Sequence, residues 1–265
     1  MRPAQGLAVL LALAALFAKP LPALADSGDF PYKLSPVTDG AIAVAALGLY
    51  GSSFYFQALK PNPDMAKVDS ASIPFFDRLY TSSQSAALGT AADVLMVGAA
   101  LVPAALVPGR RGSELLTLGA MYAETLGLAY ALDESLKSIV TRYRPYAYAL
   151  NAADFSSSDV AASFPSRHAT IAFASAVFAL SVFDELQPGS PWRPWVWASG
   201  LGLATITTVL RVTSGDHFPS DVLAGAALGA ALGFLVPLVH KAGPGERSLS
   251  LGVGPSGLQF HLRLD

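Results

Sequence analysis

Three short clusters hold the residues whose types and spacing could perform chemistry. They occupy residues 137–145, 164–168 and 211–221. Together they contain five positively charged side chains: Lys137, Arg142, Arg144, Arg167 and Arg211. Cations crowded in this way are costly unless an anionic ligand or nearby carboxylates balance them. Because guanidinium forks and lysine ammonium groups suit phosphate oxygens, the clusters predict a phosphate-binding site.

The same clusters contain a candidate nucleophile and a candidate acid. Asp221 follows His217 by four residues and could hold one ring nitrogen of His217, leaving the other free to attack phosphorus. His168 could protonate the leaving oxygen. Ser166 directly precedes an apolar segment, where its hydroxyl and free backbone N–H groups could bind an anion. This set indicates phosphoryl transfer by charge stabilisation and positioning, with no metal and no cofactor.

Six apolar segments must position these clusters. They span residues 39–58, 86–107, 115–136, 168–183, 195–212 and 221–239. Most are longer than an average globular helix and apolar around much of their circumference, as expected for burial in a bundle or in lipid. Successive helices of a hairpinned bundle are antiparallel, so all three clusters should lie at one end of it. Glycine and alanine in the last segment would let neighbouring helices approach closely.

The composition fits this interpretation. The chain has 265 residues, of which 52% are hydrophobic and 14% charged, with a net charge of −2 and no cysteine. These values exclude a disordered chain, a disulfide framework and a thiolate metal site, and argue against a nucleic-acid binder. They predict an all-α, membrane-embedded six-helix bundle. Asp93 and Glu124 lie inside apolar segments, where a functional role and simple helix pairing explain them equally well. His240 and His261 lie outside the clusters and receive no role.

The two ends of the chain differ from its centre. Residues 1–25 combine a positive start, a short apolar run and an Ala-x-Ala site, which predicts a cleaved signal peptide or, alternatively, an uncleaved anchor. Residues 26–243 form the predicted helical domain. Residues 244–265 alternate apolar and polar around a Gly/Pro turn, which predicts a short β-hairpin.

The clusters resemble the signature of the type 2 phosphatidic acid phosphatase family, which shares its site with bacterial class A acid phosphatases and vanadium haloperoxidases. That signature is Lys-x6-Arg-Pro, then Pro-Ser-Gly-His, then Ser-Arg-x5-His-x3-Asp. The matching residues, in order and spacing, are Lys137, Arg144, Pro145, Pro165, Ser166, His168, Arg211, His217 and Asp221. The chain departs from the signature at Arg167, which replaces Gly, and at Leu210, which replaces Ser. Both departures bear on substrate preference.

The resemblance implies a phosphatase that works through a phosphohistidine. His217 would be the nucleophile, Asp221 its orienting partner and His168 the general acid. The implied phosphate-binding residues are Lys137, Arg144, Ser166, Arg167 (through its backbone N–H) and Arg211. The substrate would be a phosphomonoester or a pyrophosphate, most simply on a lipid such as phosphatidate or a polyprenyl pyrophosphate.

Location and function retain alternatives at this stage. Arg110 and Arg111 predict a cytoplasmic turn by the positive-inside rule, which places the site on the periplasmic side of the bacterial inner membrane. A cleaved signal peptide conflicts with that topology, and a soluble periplasmic acid phosphatase acting on small phosphoesters is the alternative. A vanadate-dependent haloperoxidase and a non-catalytic binder of anionic lipid also remain open. No nucleic-acid partner is expected, and the sequence predicts no particular oligomeric state.

Overall fold

The computed structural model describes residues 30–64, 68–81, 84–149 and 158–242, and the backbone of 249–254 and 257–262. The signal peptide or anchor predicted at residues 1–25 lies outside the described residues. The helices are α1 (Pro36–Leu59), α2 (Ala86–Ala100), α3 (Gly112–Ile139), α4 (Arg167–Leu186), α5 (Arg193–Thr213) and α6 (Pro219–Val239). The prediction of a mostly helical chain with six long helices is confirmed for this part of the molecule.

The helices alternate in direction along the bundle. At one end, Lys60 Nζ after α1 donates to the carbonyl of Lys137 near the end of α3 (2.7 Å). The Ser85 amide, just before α2, donates to the Ser214 carbonyl after α5 (2.9 Å). We call this the site end, since the three sequence clusters gather there. The opposite end of the bundle is called the far end.

α4 lies at the centre of the bundle and packs most closely against α6. Glycines of α6 at every fourth position face the α4 backbone. A Cβ atom on Gly225, Gly229 or Gly233 would lie 2.5, 2.1 or 2.4 Å from an α4 or α4-cap carbonyl oxygen. Side chains cannot be accommodated at these distances, so the small residues of α6 set the separation of the two helices.

The outer surface of the bundle is apolar. All six helices, with α2 extended to Leu106, are long and apolar enough to cross a membrane. Only 6% of the most apolar 18-residue stretch of α1 is buried. Outward-facing residues of this helix, such as Val44 and Leu47, are 71% and 70% exposed. Apolar surface on this scale needs lipid to cover it, which makes the chain a membrane protein.

The C-terminal segment is placed as two short strands, β1 (Leu249–Gly254) and β2 (Gly257–Leu262). They pair antiparallel with Leu249 opposite Leu262 and Gly254 opposite Gly257.

Candidate active site

Two loops at the site end are joined by backbone hydrogen bonds and carry the first two clusters. The Arg142 amide donates to the Ala161 carbonyl (3.2 Å), and the Ser163 amide donates to the Arg142 carbonyl (3.0 Å). The Arg144 amide donates to the Val160 carbonyl (2.9 Å). These bonds hold the arginines of the first cluster beside the loop that leads into α4.

His217 lies at the centre of the site and is 1% exposed. Its Nδ1 is 2.7 Å from the Ser163 carbonyl oxygen, and its Nε2 is 3.2 Å from Arg144 Nη1. A carbonyl can only accept and a guanidinium can only donate, so these partners assign the proton to Nδ1 and the lone pair to Nε2. Burial lowers the pKa of His217 well below its usual value, and the charges of Arg144, Lys137 and Arg211 lower it further. The ring is therefore neutral at neutral pH, as a nucleophile requires.

Asp221 makes no direct hydrogen bond to His217 and contacts it through Ser163. Its Oδ2 lies 3.9 Å from His217 Nδ1, because the Ser163 carbonyl occupies the position that the predicted hydrogen bond would need. The buried carboxylate instead accepts from Ser163 Oγ (2.6 Å), the Phe218 amide (2.8 Å) and Arg142 Nη1 (2.7 Å). The expected direct Asp221–His217 contact is thus replaced by a contact through Ser163, whose carbonyl orients the imidazole.

Asp77, in the loop between α1 and α2, also belongs to this network. It lies outside the three sequence clusters, so the sequence analysis did not identify it. It is fully buried, accepts from Arg142 Nη2 (2.5 Å) and accepts from Ser220 Oγ (2.6 Å). The Arg142 guanidinium therefore bridges Asp77 and Asp221 while it lies over the Phe218 ring, 4.8 Å from its centroid. Arg142 is thereby occupied as a structural cation and is not available to phosphate.

His168 stands at the start of α4, and its partner is a residue that the sequence left undecided. His168 Nε2 is 2.6 Å from Asp93 Oδ1, and Arg211 Nη1 is 3.5 Å from the same oxygen. The Asp93 carboxylate accepts from the imidazole and fixes the plane of its ring. An acid inside an apolar segment was the available signal for Asp93, but its spacing to His168 across helices could not be read from the chain.

The three cations predicted to bind phosphate are buried at the site end, and each has a carboxylate neighbour. Lys137, Arg144 and Arg211 are each less than 10% exposed. The ion pairs are Lys137–Asp133 (3.0 Å), Arg144–Asp159 (2.9 Å) and Arg211–Asp216 (3.2 Å). Paired in this way, the cations remain buried without substrate, and an incoming phosphate can share their remaining N–H groups.

Two predicted ligands, Ser166 and Arg167, also make contacts within the protein. Ser166 Oγ caps α4 by accepting from the Ala169 amide (3.5 Å), and the residue is fully buried. The Arg167 side chain turns to α3, where Nε donates to Asp133 Oδ2 (2.9 Å) and Nη2 pairs with Glu134. The guanidinium is therefore paired with carboxylates of α3. The backbone N–H of Arg167 remains as the group that could face a phosphate.

A cavity of about 470 Å³ lies beside the site rather than in it. Its lining includes Arg142, Tyr148 and Phe218, together with Ile73 and Pro74 of the loop before α2. None of the three cations predicted to bind phosphate lines this cavity.

Comparison with known proteins matches the part of the chain that carries these residues. Residues 118–243 match the model of the PAP2 superfamily. The predicted family resemblance is confirmed. The PAP2 match spans all three clusters but ends before β1, so it gives the C-terminal hairpin no support, and the hairpin stays a prediction.

Curated PAP2-like relatives align over part of their length. An undecaprenyl-diphosphatase from Sulfolobus acidocaldarius is 31% identical over 117 residues, 44% of this chain and 52% of the relative. A lipid A 1-phosphatase from Porphyromonas gingivalis is 39% identical over 73 residues, 28% of this chain and 15% of the relative. The chain thus spans about half, or less, of the relatives it matches.

A solved structure of a transmembrane PAP2 type phosphatidylglycerolphosphate phosphatase from Bacillus subtilis is also similar. It shares 21% identity and a TM-score of 0.38 with this chain, covering 87% of this chain and 93% of its own.

Proposed function

We propose that this protein is a metal-independent phosphatase that hydrolyses a phosphomonoester or pyrophosphate carried by a lipid. The observation that carries the proposal is the setting of His217. A neutral imidazole presents the lone pair of Nε2, 3.2 Å from the buried Arg144 guanidinium, and the charges of Lys137 and Arg211 also act on the ring. This arrangement suits attack on a phosphorus atom whose oxygens the cations hold.

The proposed reaction has two steps. The Nε2 lone pair of His217 forms a bond to phosphorus while the bond to the leaving oxygen breaks, and His168 gives that oxygen a proton. Water then attacks the phosphohistidine, His168 takes a proton from the water, and the P–N bond breaks. Lys137, Arg144 and Arg211 stabilise the charge on the equatorial oxygens, with backbone N–H groups at the start of α4.

A lipid substrate is favoured by what surrounds the site. The segment that carries Asp77 exposes Phe75 (80%), Phe76 (52%) and Leu79 (90%) next to the site end of the apolar helices. In a membrane, these side chains would lie where the acyl or prenyl chain of a substrate meets its phosphate. The similarity to an undecaprenyl-diphosphatase and a lipid A 1-phosphatase agrees with this substrate class.

The test is phosphate release by the purified chain in chelator, from phosphatidate and from p-nitrophenyl phosphate. We expect metal-independent release that His217→Ala abolishes, with phosphatidate preferred. Preference for p-nitrophenyl phosphate would favour the soluble-substrate alternative. Vanadate-dependent halide oxidation, or lipid binding without hydrolysis that survives His217→Ala, would overturn the proposal in favour of a haloperoxidase or a lipid binder.

We also propose that the site end faces the periplasm across the bacterial inner membrane. Arg110 and Arg111 lie between α2 and α3 at the far end, where the positive-inside rule expects cytoplasm. Because the chain has no cysteine, single cysteines report sidedness directly. Leu79→Cys should react with a membrane-impermeant thiol reagent in intact spheroplasts, and Ser113→Cys should react only after lysis. The reverse pattern would invert the topology.

A further inference from the structure

A second cluster of ionisable side chains lies near the far end of the bundle. Asp39 comes from the first turn of α1, Glu124 from within α3, and His240 directly follows α6. His240 Nε2 is 2.9 Å from Asp39 Oδ1 and 3.2 Å from Glu124 Oε2. Three helices that are distant in sequence therefore direct one nitrogen and two carboxylates at a common point, and all three atoms lie within 4.8 Å of one another.

The orientation of His240 is built in. Its ring is 1% exposed, and Nδ1 lies 2.8 Å from the Val236 carbonyl, to which it donates. The amide of Lys33 donates to the His240 carbonyl (3.0 Å), which anchors the backbone as well. A histidine whose Nδ1–H is held by a carbonyl presents Nε2 as its ligand atom, and this is the usual outer arrangement of metal-binding histidines.

A proton on Nε2 does not satisfy this cluster. One N–H points in one direction, and it reaches Asp39, with which it makes a hydrogen bond. Glu124 Oε2 is buried and has no hydrogen-bond partner, although His240 is close. In the described part of the chain, neither carboxylate has a lysine or arginine within 4.0 Å. A cation bonded to all three atoms would satisfy both acids at once.

We propose that Asp39, Glu124 and His240 bind a first-row divalent metal ion, with Zn²⁺ as the best match. Zn²⁺ lies about 2.0–2.2 Å from nitrogen and carboxylate ligands, so tetrahedral ligands are roughly 3.3–3.5 Å apart. The two separations that involve His240 Nε2, 2.9 and 3.2 Å, lie within a few tenths of an ångström of this spacing, and the two carboxylates lie within 4.8 Å of each other. Two carboxylates and a neutral imidazole carry the charge that a divalent ion neutralises, and a water completes the coordination.

The ion would stabilise the packing of the helices and would take no part in the phosphate chemistry. α6, which is 21 residues and roughly 30 Å long, lies between His217 and His240. α1 buries only Thr38 and Ser53 of its own residues and packs mainly against α3. A metal shared by α1, α3 and α6 would fasten this first helix at the far end, as Lys60 fastens it at the site end.

The test uses the full chain, purified in detergent, stripped with chelator and then titrated with Zn²⁺ or Co²⁺. We expect one ion per chain by elemental analysis and a tetrahedral Co²⁺ absorption band. Glu124→Gln and Asp39→Asn keep the side-chain shape and should each weaken binding by about 100-fold or more, since loss of outer-shell partners alone costs about 10–100-fold. Zn²⁺ should raise the Tm of the wild type and not that of His240→Gln.

The matched control is Asp184→Asn, which removes one carboxylate that pairs with Arg193 and is not a member of the cluster. It should bind Zn²⁺ as the wild type does. Each variant is compared at equal monodispersity, so a folding defect is seen separately from lost binding. The proposal is overturned if the wild type binds no ion saturably, or if Glu124→Gln and Asp39→Asn both retain it, because the ion would then lie elsewhere. The readout needs no phosphatase activity and is independent of the proposed function.

Discussion

Two buried histidines flank α6, and their rings are held in the same way but meet opposite charges. His217, before the helix, donates Nδ1–H to the Ser163 carbonyl, and its Nε2 faces the Arg144 guanidinium. His240, after the helix, donates Nδ1–H to the Val236 carbonyl, and its Nε2 faces two carboxylates. Both residues are 1% exposed.

The two rings differ in the charge opposite Nε2 and not in burial or tautomer, and the roles proposed for them follow from that difference. Cations around His217 favour a neutral imidazole and attract an anionic substrate. Carboxylates around His240 repel an anion and favour a cation at the same ring atom.

Removing the cation that faces His217 should abolish most activity. Arg144→Gln deletes the guanidinium 3.2 Å from Nε2, and we expect kcat/KM for phosphatidate to fall by about 1000-fold, as for loss of a group that stabilises transition-state charge. Arg193→Gln removes an arginine that is 59% exposed and should change kcat/KM by less than about twofold. Equal effects of the two substitutions would show that Arg144 does not take part in the reaction.

Separating α6 from α4 should disturb both histidines. A side chain at Gly229 meets the Thr170 carbonyl, 2.1 Å from where its Cβ would lie, so Gly229→Val should destabilise the fold by about 1–3 kcal/mol or more. We expect a lower Tm, lower activity and weaker Zn²⁺ binding together. Gly202→Ala, with nothing within 4 Å, is the matched control and should leave all three unchanged. A Gly229→Val protein with normal Tm would contradict the observed packing.

Loss of Asp93 should depend on the leaving group. Asp93→Asn keeps the shape but weakens the contact to His168 Nε2, and we expect about a 10–100-fold lower kcat for phosphatidate, since general acid catalysis contributes about 100-fold or more. p-Nitrophenolate needs little protonation to leave, so the loss with p-nitrophenyl phosphate should be much smaller. Equal losses with both substrates would mean that Asp93 supports structure and not proton transfer.

The acid limb of the pH profile should report the cations around His217. Burial and the neighbouring charges lower the pKa of His217, so the nucleophile stays neutral, and activity persists, below the ordinary histidine pKa of about 6.5. Activity falls only as the pH drops through the lowered pKa. Lys137→Gln removes one of these charges and should move the limb to higher pH, whatever it does to the rate. Both proteins are assayed with one substrate, whose own titration cancels; an unmoved limb would contradict the electrostatic cause.

Much of this site was accessible from motif spacing. Lys137, Arg144, Arg211, His168 and His217 were placed together from the alternation of helices alone, and the structure gathers them at the site end. The order of apolar segments suffices for this, because antiparallel helices bring alternate ends to the same face.

Other residues could not be found in this way. Asp77 contacts Arg142 and Ser220 across 65 and 143 positions, and Asp93 contacts His168 across 75. The i+4 spacing predicts a hydrogen bond from His217 Nδ1 to Asp221. In the structure, the Ser163 carbonyl accepts that hydrogen bond instead. Hydrogen-bond partners depend on ångström-scale positions of loops, and no local periodicity encodes those.

The sequence by itself determined the helical, membrane-spanning architecture, the end at which the three clusters meet and the types of residue there. These properties follow from local apolar runs and from motif spacing, which act along the chain. The tertiary structure decided which carboxylate neutralises which cation, turned Arg167 toward α3, and drew Asp39 and Glu124 to His240. Those outcomes depend on helix rotation and separation, which the α6 glycines set through close contact with the α4 backbone.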